Sequence, residues 1–239
     1  MNDSVDDKNK DISAANGDKG TVKYYKEDFW REENLKFTRP HFRLEKSARI
    51  INKLARGKEL DVLDIGCGPA TLSKLLDNNL HYYGIDIAIQ EPAPNLIEAD
   101  LLKGPIKFGD KQFDIIMAQG LFEYLGEFQS VKFAEIRQLL REDGRFVVTY
   151  MNFGHHKKQI YWPYSNVQSI PDFRASLSSY FRIERSFPVA HNWNHSSPQR
   201  RWLRAIEMPL SLNVPMVSPL LAPEYFFICS PLAEQQVRG

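Results

Sequence analysis

One stretch, Val62-Leu63-Asp64-Ile65-Gly66-Cys67-Gly68-Pro69-Ala70, restricts the folds open to this chain more than any other. Its first half is an apolar run of the kind a buried parallel strand shows. Its second half is a glycine turn, and a helical pattern, Thr71-Leu72-Ser73-Lys74-Leu75-Leu76, follows. Strand, glycine turn and helix in that order form the edge on which open α/β sheets bind nucleotide-like groups. Gly66 and Gly68 carry no Cβ, so they reach backbone angles closed to other residues and admit a ligand close to the main chain.

The chain has 239 residues, of which 43% are hydrophobic and 26% charged, enough for one large domain with a real core. The formal net charge is +1, without the basic excess of a typical nucleic-acid binder, so no nucleic-acid partner is expected. Cys67 and Cys229 are the only cysteines and stand far apart, which argues against a disulfide framework or a zinc site and for a reducing compartment. No apolar run approaches the ~20 residues of a membrane helix. The amino terminus lacks a signal-peptide core, and the reading is a cytoplasmic protein without a membrane partner.

Residues 1–20 are polar and read as a disordered tail. Residues 21–57 read as a helical cap. Tyr24, Tyr25, Phe29 and Trp30 cluster on one segment; Phe42, Leu44, Ala48, Ile50, Ile51 and Leu54 recur near helical spacing on the next, which Gly57 ends. The aromatic cluster either packs on the core or forms a lid over the glycine turn. Residues 58–231 read as the core, with an aromatic and basic insertion at 192–222, and 232–239 as a tail. Within the core, patterning predicts strands at 61–65, 81–85, 96–99, 113–118, 145–150, 181–189 and 225–229. Helices are expected at 128–140, closed by Asp143-Gly144, and at 171–180. Such alternation predicts an α/β fold: seven strands, mostly parallel, with helices on both faces. Between Asp86 and Asp100, Pro92 and Pro94 leave little room for a helix, so that crossover must be short or irregular.

Three features reinforce the glycine turn. Asp86 ends the second strand, where a carboxylate can accept from both hydroxyls of a ribose. Asp100 ends the third and is followed by Leu101 and Leu102, a carboxylate to grip an exocyclic amine and leucines to sandwich a purine ring. The fourth strand ends in Ala118-Gln119-Gly120-Leu121-Phe122-Glu123-Tyr124, again where ligands bind open sheets. A dinucleotide site would want a third small residue where Thr71 stands. Asp64 at the strand tip would repel a pyrophosphate and suits an ammonium or sulfonium cation.

In these stretches the sequence resembles the class I S-adenosylmethionine-dependent methyltransferases, most nearly the bacterial enzymes that methylate small molecules. Val62 to Pro69 looks like the family's first motif, Tyr83-Gly84-Ile85-Asp86-Ile87 its second, and Glu98-Ala99-Asp100-Leu101 its third. Phe113 to Tyr124 looks like the fourth and Leu139 to Phe146 the fifth. The resemblance implies a Rossmann-like fold and S-adenosylmethionine as cofactor. It implies a cofactor set of Asp64, Gly66, Cys67, Gly68, Asp86, Ile87, Asp100, Leu101 and Gln119. Gly66 and Gly68 would pass the methionine moiety, Asp86 would bind the ribose and Asp100 the adenine amine, with Gln119 beside the cofactor through its main chain. The sequence departs from the family in a shortened helix after the second motif, and in Tyr124 where many relatives have His.

Methyl transfer from a sulfonium is an in-line displacement that needs alignment above all, worth ~7–11 kcal/mol, and a nucleophile free of its proton. Candidate bases are Tyr124, His155 and His191; Glu123 is either at the pocket edge or an exposed helix start. His191 and His195 are four residues apart, but no third ligand is evident and no metal is expected. Tyr161, Trp162 and Tyr164 could wall an aromatic acceptor, and Arg200, Arg201 and Arg204 could meet an acidic one. A small-molecule acceptor with an O, N or C nucleophile is the leading reading. A protein or RNA methyltransferase, a non-catalytic cofactor-binding partner and a dinucleotide dehydrogenase are the alternatives.

Overall fold

The computed structural model describes residues 31–32, 34–39, 42–153, 168–189 and 224–232. The tail, the aromatic cluster before residue 31, His155, His191 and the insertion at 192–222 lie outside the described residues.

The first elements with described bounds are a 3-10 turn, Leu35–Phe37, and helix α1, Phe42–Ala55. Arg56 and Gly57, at φ 52° and 75°, end α1 in left-handed conformations. Strands β1 (Leu60–Ile65), β2 (Leu80–Asp86), β3 (Leu96–Glu98) and β4 (Phe113–Ala118) follow. Then come α2 (Gln129–Leu139), β5 (Leu140–Met151), α3 (Ile170–Ser178), β6 (Phe181–Val189) and β7 (Glu224–Pro231). The strands form one seven-stranded sheet in the order β3-β2-β1-β4-β5-β7-β6. Only β7 runs against its neighbours, β5 and β6; the other pairs are parallel. The mostly parallel sheet is thus as the alternation predicts.

Both faces are covered because side chains alternate along each strand. On one face Val62, Ile115, Met117, Val147 and Phe226 pack under Ala48, Ile51 and Ala55 of α1. On the other, Leu63, Ile116, Phe146, Val148 and Phe227 pack with Phe133 and Ile136 of α2 and Phe173 and Leu177 of α3. Aromatic rings dominate this second layer: Phe122 stacks on Phe133 at 4.5 Å and Tyr150 on Phe173 at 3.8 Å. Each such ring contributes about 1.5–3 kcal/mol by burial alone. Helix α3 starts where Ser169 Oγ accepts the Asp172 amide at 3.2 Å, with Pro171 in the first turn.

Two expectations change. The segment after the glycine turn is a 3-10 helix, Thr71–Leu75, not an α-helix. It enters from Ala70, a non-glycine residue at φ 52°, and is too short to propagate. Strand β5 begins five residues early, at Leu140 opposite Phe113, and its register then jumps to Arg145 opposite Ile115. The Asp143-Gly144 turn is therefore a bulge within β5 rather than a loop before it. The short crossover after β2 is as expected: no helix lies between Asp86 and Leu96.

Candidate functional site

From β1 the chain moves to one side to make β2 and β3, then returns to place β4 on the other side of β1. That reversal is the switch point at which open α/β sheets bind ligands. A cavity of about 210 Å³ lies there, over the carboxyl ends of the strands. All nine residues that the resemblance implies for the cofactor line it, as does Tyr124.

The glycine turn is held by its own backbone. Gly66 and Cys67 both donate to the Ile85 carbonyl, at 2.8 and 3.2 Å. Gly66 and Gly68 have φ of 76° and 54°, so a side chain at either would be strained. The Gly68 amide donates to Asp86 Oδ2 at 2.8 Å. Asp86 Oδ1 accepts from the Ala88 amide at 3.0 Å and from Asn34 Nδ2 at 3.1 Å. Burial raises the Asp86 pKa, and these hydrogen bonds oppose the rise. Asp64 is also buried, which pushes its carboxyl up to about 7, while a 2.8 Å hydrogen bond from the Tyr82 hydroxyl holds it down. Burial pushes the Cys67 thiol well above its usual range, so Cys67 is a wall and not a nucleophile.

On the far side of β2, Asp100 stands two residues past β3, in a turn that Leu101 and Leu102 continue. Asp100 Oδ1 accepts the Leu102 amide at 3.0 Å, and Oδ2 meets the exposed Lys103 ammonium at 3.0 Å. Leu101 is 7% exposed, and it, Leu102 and Ala99 give this end of the cavity apolar walls.

Arg31, Asn34 and Phe37 form a strap tied to the turns that follow β1 and β2. Arg31 pairs with Glu98 at 3.2 Å and donates to the Ile89 carbonyl at 3.2 Å. Gln90 Nε2 donates to the Arg31 carbonyl at 2.6 Å, and Thr71 Oγ1 to that of Phe37 at 2.6 Å. Asn34 and Phe37 thereby become cavity walls.

The end near β4 and β5 holds a charge cluster of two buried carboxylates and a half-buried guanidinium. Arg43 Nη2 meets Glu224 Oε1 at 2.5 Å. Glu123 is 2% exposed, and its Oε1 accepts the Met151 amide at 2.7 Å. Burial pushes Glu123 up to about 7. Glu123 is therefore neither a pocket-edge residue nor an exposed helix start; the 3-10 turn Phe122–Tyr124 points it inward and Tyr124 toward the cavity. Gln119 also differs from expectation, because its side chain takes part. Its Oε1 accepts from Ser47 Oγ at 3.2 Å, leaving Nε2 buried without a hydrogen-bond partner. Arg43 Nε is likewise buried and unpartnered, and both side chains line the cavity. Of the three candidate bases, Tyr124 is in the cavity, and His155 and His191 lie outside the described residues.

Asn34, Arg43 and Tyr82 were missed by the sequence reading. Asn34 and Arg43 precede β1 and reach the site only through the packing of the strap and α1. Tyr82 had a signal: it precedes the second motif in β2 and lies opposite Val62, on the face that α1 covers. Among the described residues no group of His, Cys, Asp and Glu is placed to hold a metal. No described helix is long and apolar enough to cross a membrane.

Residues 40–185 match the family model described as a methyltransferase domain. Curated proteins return no match. Solved structures share the fold at low identity. An S-adenosylmethionine-dependent methyltransferase from Archaeoglobus fulgidus is 18% identical, with a TM-score of 0.57 over 84% of this chain and 99% of that one. The Burkholderia thailandensis 1,6-didemethyltoxoflavin-N1-methyltransferase, solved with its substrate and S-adenosylhomocysteine, is 14% identical, with a TM-score of 0.53 over 80% and 79%. A chain from the complex of the Haloferax volcanii Trm112 methyltransferase activator with a methyltransferase is 16% identical, with a TM-score of 0.59 over 87% and 96%.

Proposed function

The chain belongs to the methyltransferase-domain family and is an S-adenosylmethionine-dependent methyltransferase; on that footing we propose that its acceptor is a small molecule. The observation that carries this reading is the strap. Arg31, Asn34 and Phe37 are tied by hydrogen bonds to the turns after β1 and β2, which walls the cavity on that side and favours an acceptor small enough to enter it. Leu44, Leu121, Tyr124 and Leu125 wall the remaining space, which suits an apolar or aromatic acceptor. The Arg43 guanidinium is already matched by Glu224, which weighs against a strongly acidic one.

The residues present fit the cofactor. Asp64, Asp86 and Asp100 make the cavity acidic, and Arg43 is the one cation among its described walls. An acidic, half-buried site favours a ligand carrying ammonium and sulfonium charge. Arg43 and Gln119 line the cavity and would face an amino-acid carboxylate there. Asp86 would hold the ribose hydroxyls and Asp100 the adenine amine. When bound, the cofactor supplies an electrophilic methyl carbon. Tyr124 lines the cavity, and we assign it the role of orienting the acceptor or taking its proton.

The test is incubation of the full chain with radiolabelled S-adenosylmethionine and separate small-molecule, protein and RNA fractions of a cell extract. Label in the small-molecule fraction alone supports the reading. Label only in protein or RNA overturns it.

A further inference from the structure

Lys132 is an odd residue to find in a core. Its side chain is 4% exposed, lies on α2 and does not line the cavity. A buried ammonium is costly unless fully paired. Here it is paired: Nζ donates to the Gly104 carbonyl at 2.7 Å and to both Glu135 oxygens at 3.1 and 2.9 Å. Glu135 Oε2 in turn accepts the Ile106 amide at 3.0 Å. The Lys132–Glu135 pair therefore grips the chain on both sides of Pro105, which has no amide proton with which to hold itself.

The gripped segment leads straight back to the cavity. The Gly104 amide donates to the Asp100 carbonyl at 3.2 Å and the Lys103 amide to the same oxygen at 3.0 Å. Asp100 Oδ1 is fixed by the Leu102 amide. Two hydrogen bonds thus connect the buried ammonium to the backbone of the carboxylate that faces the ligand. No other side chain that donates or accepts across from α2 is seen to hold the 100–106 loop among the described residues.

We propose that Lys132 and Glu135 are positioning residues that set the selectivity of the cavity for adenine, by holding the loop of Asp100 and Leu101 in place. The proposal rests on the reading of Asp100 as the partner of the adenine amine. A carboxylate accepts from that amine but is repelled by the carbonyl oxygen of hypoxanthine. This discrimination requires the carboxylate to be held firmly; a loose loop can turn Asp100 aside and accept either base.

The experiment measures the Kd of the full chain for S-adenosylhomocysteine and for S-inosylhomocysteine, in the wild type, Lys132→Met and Glu135→Gln. The wild type should favour the adenine ligand. Each variant should bind it about tenfold more weakly, the loss of a charged hydrogen bond, while binding the inosine ligand unchanged. A merely structural role would weaken both ligands equally, or lower Tm with selectivity intact, and either result overturns the proposal. Should Lys132→Met fail to fold, Glu135→Gln decides, since its amide oxygen can still accept from Ile106. A wild type that binds neither ligand removes the cofactor reading and this proposal together. A wild type that binds with selectivity the variants retain removes this proposal alone.

Discussion

The Gly68 amide donates to Asp86 Oδ2 at 2.8 Å, so the glycine turn after β1 and the acid that ends β2 form one unit. Gly68 sits at φ 54°, a left-handed angle that glycine takes easily, so the turn that carries this amide favours glycine there. A ligand that meets the turn therefore meets Asp86 as well.

Asp64 makes cofactor binding depend on pH. Burial holds its carboxyl at about 7, so near neutrality the empty site is partly protonated. A bound ammonium favours the ionised form, so affinity for S-adenosylhomocysteine falls as pH drops below 7, with proton release on binding. Calorimetry in buffers of different ionisation enthalpy measures that release. Tyr82→Phe deletes the hydrogen bond that holds Asp64 down, and should move the midpoint to higher pH. An affinity flat from pH 6 to 8 (on the order of one unit either side of the raised value) would contradict this.

Glu123 should make stability fall as pH rises. Its carboxyl is raised from 4.5 to about 7, so the folded state holds its proton more tightly than the unfolded state. That contribution is complete below 4.5 and is lost as pH rises to 7. Glu123→Gln keeps an acceptor for the Met151 amide and removes the charge. Its Tm relative to wild type should climb between about pH 5 and pH 8 and level off above. A Tm difference independent of pH would count against a raised Glu123.

Gly84 is held to glycine by crowding rather than by backbone angle. A Cβ there would lie 2.8 Å from both Cys67 Sγ and Leu96 Cδ2. Gly84→Ala should cost about 1–3 kcal/mol as overpacking, read from urea denaturation. It should also weaken cofactor binding, because Cys67 lies within the glycine turn. Wild-type stability in the variant would show that these neighbours yield freely.

Gln119 and Arg43 should act on a ligand carboxylate. Gln119→Leu removes a polar side chain that lines the cavity, without unpairing a charge. It should weaken S-adenosylhomocysteine by about tenfold and leave 5′-methylthioadenosine, which lacks the carboxylate, unaffected. Equal losses for both ligands would assign Gln119 a packing role.

Much of this site could be read from the chain because its determinants are local. The apolar run into Gly66 and Gly68, and the acids Asp86 and Asp100 at or just past strand ends, are fixed by strand length and turn chemistry. The rest comes from tertiary packing. Nothing near Asn34 in sequence says that it will bond Asp86, 52 residues on, and nothing near Arg43 announces Glu224, 181 residues away. Glu123 was misplaced because a 3-10 turn, not an α-helix, follows β4, which turns its side chain inward. Gln119 was read for its main chain because its partner, Ser47, lies on a helix that sequence alone does not dock.

The most direct test of the account is calorimetric titration of S-adenosylhomocysteine into the wild type and Asp86→Ala. Binding on the order of micromolar in the wild type, lost in the variant while its fold persists by circular dichroism, is the predicted result. A wild type that does not bind, or an Asp86→Ala variant that binds equally well, would contradict it.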